Sequence, residues 1–175
     1  MTKVFTDSDA LARIIAGLRS QGKTVVLAPG VFDLLHVGHA RLLLDARTRG
    51  DYLIVALQGD AAVKKAKGAG RPLQPAAERA EVLSSFGHVS YVTFFHDADA
   101  SGLCRSIQPD VLVRGRDYSE KTIPERVAAA DVGCRLAIVG DSRVWSTDQI
   151  LGRTRKGGKK ASTKSAKKSA KKMKK

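Results

Sequence analysis

The sequence predicts an α/β fold, a doubly wound (Rossmann-like) parallel sheet with helices on both faces, followed by a disordered C-terminal tail. Three observations predict it. Apolar runs such as Thr24-Val25-Val26-Leu27-Ala28 and Tyr52-Leu53-Ile54-Val55-Ala56-Leu57 lack the polar alternation of a half-exposed strand, so they read as strands buried on both faces. Segments with helical spacing separate successive runs, the pattern of βαβ units. Glycine-containing and cationic loops follow the runs, where ligands sit in open α/β sheets.

The elements follow in order. Leu11, Ile14, Ile15 and Leu18 recur at helical spacing across 8–19, with Asp7 or Ser8 placed as cap. Gln21-Gly22-Lys23 ends that helix, and the strand 24–28 comes next. A helix is expected over 38–47 and a strand over 52–57. Residues 59–75 hold three glycines, two prolines and four basic side chains, so they read as a mobile cationic loop with no more than a helical turn at 60–66. A helix over 76–85, a strand over 91–95, a helix over 100–107 and strands over 110–114 and 136–139 complete the pattern, with a closing helix expected over 146–153. The sheet rule makes the loops 29–39, 58–71, 114–119 and 140–147 the site candidates.

The 175 residues carry 31 Lys+Arg against 17 Asp+Glu, a net charge of +14. Ten of the lysines lie in 156–175, which has no acid, so residues 1–155 hold only +4. The predicted organisation is therefore a domain over 1–155 and a Lys-rich tail over 156–175. The tail has one Met and no aromatic or branched apolar residue, so it is expected to stay disordered. Its composition resembles the lysine-rich tails of linker histones and suits nonspecific contact with nucleic acid or another polyanion; a solubilising extension fits it equally. No apolar run approaches the ~20 residues that span a bilayer, and the N-terminus lacks a signal-peptide core. Cys104 and Cys134, 30 residues apart among apolar neighbours, have no zinc or redox spacing and read as buried free thiols of a reducing cytoplasm. The sequence has no P-loop, no G-x-G-x-x-G fingerprint and no G-x-S-x-G elbow.

Chemistry concentrates after the first strand. Gly30 allows close backbone approach, and His36 and His39 fall where a helix begins, on one side of it. Free N–H groups and partial positive charge at such an end suit phosphate, although two histidines that merely cap or pack also satisfy the spacing. Lys64, Lys65, Lys67 and Arg71 form a cationic run beside Gly68 and Gly70, either a solvated face or a lid over polyphosphate. Arg114-Gly115-Arg116-Asp117-Tyr118 offers guanidinium groups for phosphate or sugar and a carboxylate for hydroxyls, or is an ordinary charged turn. Ser146-Thr147 suits a helix cap or a phosphate contact.

Taken together these blocks resemble the H-x-G-H nucleotidyltransferases of the cytidylyltransferase-like superfamily. The segment Gly30-Val31-Phe32-Asp33-Leu34-Leu35-His36-Val37-Gly38-His39 looks like the family signature. Gly50 to Ala56, Val63-Lys64, Lys67-Gly68, Gly70-Arg71-Pro72, Glu78-Arg79, Pro109 to Tyr118 and Trp145-Ser146-Thr147 continue the likeness in order. Within the superfamily the likeness is greatest to the heptose 1-phosphate adenylyltransferase domain of bifunctional ADP-heptose synthase, without that enzyme's sugar-kinase domain.

The resemblance implies an enzyme that transfers the adenylyl group of ATP to a sugar 1-phosphate, heptose 1-phosphate first among them, and releases pyrophosphate. It implies catalytic roles for His36, His39 and Lys67. It implies nucleotide contacts at Gly30, Phe32, His36, His39, Gly115, Asp117, Ser146 and Thr147, and secondary contacts to substrate phosphate at Lys64, Arg71 and Arg79. Mg2+ is expected to arrive with the nucleotide, with no dedicated protein ligand, and the family's habit implies a homodimer. A CTP-dependent glycerol-3-phosphate or related alcohol-phosphate cytidylyltransferase is the alternative of the same class. A polyanion-binding protein acting through the tail is the alternative of another class.

Overall fold

The computed structural model describes residues 3–140. Six parallel strands form one sheet in the order β1-β4-β3-β2-β5-β6. They are β1 (Val4–Phe5), β2 (Val25–Gly30), β3 (Tyr52–Gln58), β4 (Tyr91–Phe95), β5 (Val111–Gly115) and β6 (Arg135–Val139). The helices are α1 (Ser8–Ser20), α2 (Val37–Arg47), α3 (Asp60–Lys67), α4 (Ala76–Ser85), α5 (Ser101–Ile107) and α6 (Arg126–Asp131). The chain runs outward from β2 through β3 to β4, then crosses back to β5 and β6, which makes the β2–β5 boundary the topological switch point.

The expected doubly wound sheet is present, and the reason is visible in its two cores. Val25 and Leu27 pack with Leu11, Ile15, Leu103 and Ile107 on the α1/α5 side. Val26 and Ala28 pack with Leu43, Ala46 and Leu83 on the α2/α4 side. Successive strand side chains point to opposite faces, so a strand covered on both faces must be apolar throughout. Asp7 caps α1 by accepting N–H bonds from Asp9 and Ala10.

Two elements were not foreseen. β1 is a two-residue edge strand beside β4, and α6 spans six residues; neither is long enough for its period to repeat. The cationic segment also departs from the expected mobile loop. It forms α3, a helix of eight residues, because Val63 is fully buried and the lysines of its last turn favour the negative end of the helix dipole. The closing helix expected over 146–153 and the boundary expected between 155 and 156 lie outside the described residues.

A parallel sheet leaves N–H groups at its amino edge and C=O groups at its carboxyl edge without strand partners. At the amino edge the N–H of Thr24 bonds to the carboxylate of Asp51 and that of Val25 to Asp110, each at 2.8 Å. At the carboxyl edge arginine does the converse. β2 and β5 pair at Val26–Val111 and Leu27–Leu112 and then part, while β2 stays paired with β3 as far as Gly30. Arg114 fills the gap: it donates to the Pro29 carbonyl at 3.0 Å and with two nitrogens to Glu125. Glu125, fully buried, also accepts from the N–H of Ala100 at the start of α5. A strand residue's N–H and C=O point the same way, so Pro29 lacks its donor only on the side where the strands separate.

Removing one member of a buried ion pair leaves the other uncompensated. Glu125→Leu is expected to destabilise the fold by about 3–5 kcal/mol, read as a lower urea midpoint at unchanged slope.

Candidate active site

The site is built on the loop between β2 and α2, at the carboxyl end of the central strand. Gly30 has no room for a side chain: a Cβ there would stand 2.7 Å from the Phe32 ring. That ring is buried and lies 5.3 Å, centroid to centroid, from the ring of His39. Phe32 and Leu34 both adopt left-handed backbone, with φ of 51° and 50°. Asp33 stands between them, 3% exposed. Its carboxylate accepts from the Arg71 guanidinium at 2.8 Å and from the backbone N–H groups of Leu73 and Gln74 at 3.0 and 3.2 Å.

His36 is the N-cap of α2. Its Nδ1 accepts from the N–H of Gly38 at 3.1 Å, which in the neutral ring places the proton on Nε2 as a donor. His36 and His39 stack with centroids 3.8 Å apart and planes 21° from parallel. Burial lowers the pKa of both, and for His39 the charges of His36 and Lys67 add to that effect, bringing it down to about 4. Asp33 pulls in the opposite direction and is outweighed. Near neutral pH the pair is therefore two uncharged imidazoles at a helix N-terminus. His39 Nδ1 is buried and bonds to no group among the described residues.

Gly30, Phe32, His36, His39 and Lys67 come together as expected. Lys67 ends α3, with its charge close enough to be felt at His39. Lys64 is exposed on the same helix. Gly115 ends β5 beside α2: a Cβ there would meet Leu42 at 3.3 Å and Asp117 at 2.5 Å, and Asp117 itself is exposed. Arg116 donates to the Gly140 carbonyl at 2.7 Å, just past the end of β6. Ser146 and Thr147 lie outside the described residues.

Arg79 and Arg71 are both engaged by groups of the protein itself. Arg79 is fully buried and donates to the carbonyls of Val31, Gln58 and Gln74 and to the Asp60 carboxylate. It fastens the ends of β2 and β3. Arg71 is paired with Asp33 at 2.8 Å. Asp33 and Glu125 were given no role from sequence. The signal was available for Asp33: a lone carboxylate inside Val31-Phe32-Asp33-Leu34-Leu35 must be partnered if it is buried.

Neutral imidazole donors at a helix N-terminus, set at the switch point of a parallel sheet and flanked by lysines, define a nucleotide-handling α/β protein. The comparisons make the class specific. The cytidylyltransferase-like family model matches residues 27–150. The chain belongs to this family of nucleotidyltransferases. It is 42% identical over 153 residues to a bifunctional protein HldE of Geotalea uraniireducens, covering 85% of this chain and 30% of that protein. A bifunctional protein HldE of Streptomyces coelicolor is 36% identical over 153 residues, covering 87% of this chain and 33% of that one. The chain thus spans about a third of the length of these relatives. A lipopolysaccharide core biosynthesis protein from Thermoplasma volcanium, 22% identical, shares the fold at a TM-score of 0.61 over 70% of this chain and all of its own.

Two outcomes follow from this geometry. A histidine with a depressed pKa takes up protons on unfolding between its native value and 6.5, so it contributes stability above that window that is lost as pH falls through it. Stability should therefore fall between pH 6.5 and about 4, less steeply in His39→Gln, as read by urea denaturation at each pH. Gly30→Ala should displace the Phe32 ring and lower stability by about 1–3 kcal/mol, with the His39 ring resonances shifted in the NMR spectrum.

Proposed function

We propose that this chain is an adenylyltransferase that joins ATP to a sugar 1-phosphate, with heptose 1-phosphate the first acceptor to test. The observation that carries the reading is the stacked, neutral His36/His39 pair at the N-terminus of α2 with Lys67 beside it. The choice of acceptor rests on the resemblance of the motif blocks to the adenylyltransferase domain of ADP-heptose synthase. It rests also on the similarity to bifunctional HldE proteins.

In this reading a phosphate oxygen of the sugar 1-phosphate attacks the α-phosphorus of ATP. A new P–O bond forms, the bond from the α-phosphorus to the oxygen bridging toward the β-phosphate breaks, and its electron pair leaves with pyrophosphate. An ionised phosphate needs no base to become a nucleophile, so catalysis is positioning and charge stabilisation. His36, with Nδ1 occupied by Gly38, offers Nε2–H to the phosphate oxygens as charge builds on them, and His39 shares the task. A neutral imidazole gives a hydrogen bond without the desolvation cost of a buried cation. Lys67 supplies the full positive charge, toward the leaving pyrophosphate, with Lys64 further out on the same helix. The backbone at Gly30 and Phe32 lines the nucleotide, Gly115 and Asp117 contact it from β5, and Ser146 and Thr147 bond its phosphates.

Magnesium belongs to this scheme as part of the nucleotide substrate. Among the described residues no cluster of three or more His, Cys, Asp or Glu is placed to hold a metal, and Asp33 is engaged by Arg71 and two amides; phosphate oxygens and water would supply the ligands. Among the described residues no helix is long and apolar enough to cross a membrane. Cys104 and Cys134 are buried free thiols, which accords with a reducing cytoplasm.

The test is pyrophosphate release with Mg2+ from ATP or CTP, each against heptose 1-phosphate, other sugar 1-phosphates and glycerol 3-phosphate. Release is expected with ATP and heptose 1-phosphate, and His39→Ala should lower kcat by roughly 100-fold or more. Release with CTP and glycerol 3-phosphate alone would replace the substrates and retain the mechanism.

A further inference from the structure

We propose that Asp33 is a positioning residue, a latch that docks residues 71–74 onto the histidine loop and thereby fixes Lys67 beside His39. Its effect on turnover rests on the nucleotidyl-transfer reading above; the docking itself rests on geometry.

Asp33 reaches one segment with several bonds. Its Oδ2 accepts from Arg71 at 2.8 Å, both carboxylate oxygens lie 3.0 Å from the N–H of Leu73, and Oδ1 accepts from Gln74 at 3.2 Å. These are charge-assisted bonds to a nearly buried carboxylate, and such bonds are the strong ones. The residues on either side of Asp33 hold left-handed backbone without being glycine, a state that persists only where the surroundings hold it.

The segment needs a latch because of what precedes it. Lys67 is the last residue of α3, and Gly68-Ala69-Gly70 follows. Both glycines have positive φ, 89° and 87°, with no neighbour near the position of a Cβ, so packing does not restrain this stretch. Helix ends fray, and Lys64 and Lys67 repel one another one turn apart. Val63 anchors the middle of α3 in the core, whereas the exposed turn beyond it leads into the docked residues 71–74. Arg79 is a second fastener across the same seam, joining the Val31 and Gln74 carbonyls. Lys67, which has to stand within reach of a phosphate, thus lies between an anchored helix and a hinge of two glycines, and Asp33 closes the hinge.

Two variants test this, Asp33→Asn and Arg71→Gln, each read without turnover first. Amide hydrogen exchange at Leu73 and Gln74 should be at least tenfold faster in Asp33→Asn. Lys67→Met should raise the NMR titration midpoint of His39 in the parent, because the lysine charge lowers it. The same change made in Arg71→Gln should raise it by less than half as much, because Lys67 has already moved away. With active parent enzyme, kcat in Asp33→Asn should fall at least tenfold while the KM for ATP changes less than threefold. The double variant should be no slower than Asp33→Asn alone, since both remove one latch. Unchanged exchange in both folded variants overturns the docking. An undiminished Lys67→Met effect in Arg71→Gln, or faster exchange with kcat within twofold of the parent, overturns the positioning role. Parent protein that releases no pyrophosphate from any pair counts against the function proposed above, and the exchange and titration readouts then decide the latch.

Discussion

Backbone groups at the two ends of a parallel sheet have no strand to bond to, and in this protein charged side chains satisfy them. Aspartates take the N–H groups at the amino edge, Asp51 at Thr24 and Asp110 at Val25. Arginines take the carbonyls at the carboxyl edge, Arg114 at Pro29 and Arg79 at Val31 and Gln58. The site depends on the second set. The strands must part at the switch point to leave a crevice, and parting strips the carbonyls of their partners; a buried guanidinium lets the crevice open without leaving buried polar groups unsatisfied. The histidine loop starts from a β2 end that is fixed on both sides.

The same economy sorts the cations. Three arginines at this rim are matched by carboxylates: Arg114 by Glu125, Arg79 by Asp60 and Arg71 by Asp33. Those ion pairs join separate segments of the framework. Lys64, Lys65 and Lys67 on α3 are exposed and carry the positive field that a polyphosphate would meet. Arginine suits the first task, because its planar fork bonds several acceptors at once, and lysine the second, as a compact charge on a flexible stem. The two histidines complete the division. Stacked and partly buried, they resist protonation.

The sequence by itself determined the sheet and its two cores. Val25 to Ala28 and Leu53 to Leu57 are apolar without interruption, as strands buried on both faces are, and their alternation with helical segments points to the parallel doubly wound arrangement. The arrangement puts the loop carrying His36 and His39 at the carboxyl edge. β1 and α6 escaped because two and six residues hold only one strand period and fewer than two helical turns, too little for a repeat to show.

The tertiary structure decided which charges are free. In sequence Arg71, Arg79 and Arg114 look the same as Lys64 and Lys67: basic residues in or after loops on the ligand side. Whether such a group meets substrate or holds the frame depends on a carboxylate or carbonyl brought up from elsewhere in the chain, 38 residues away for Arg71 and Asp33 and 85 for Arg114 and Pro29. Pairings over that distance leave no local pattern, because the energy that selects them, the cost of burying a charge or a carbonyl alone, exists only once the chain has closed around them.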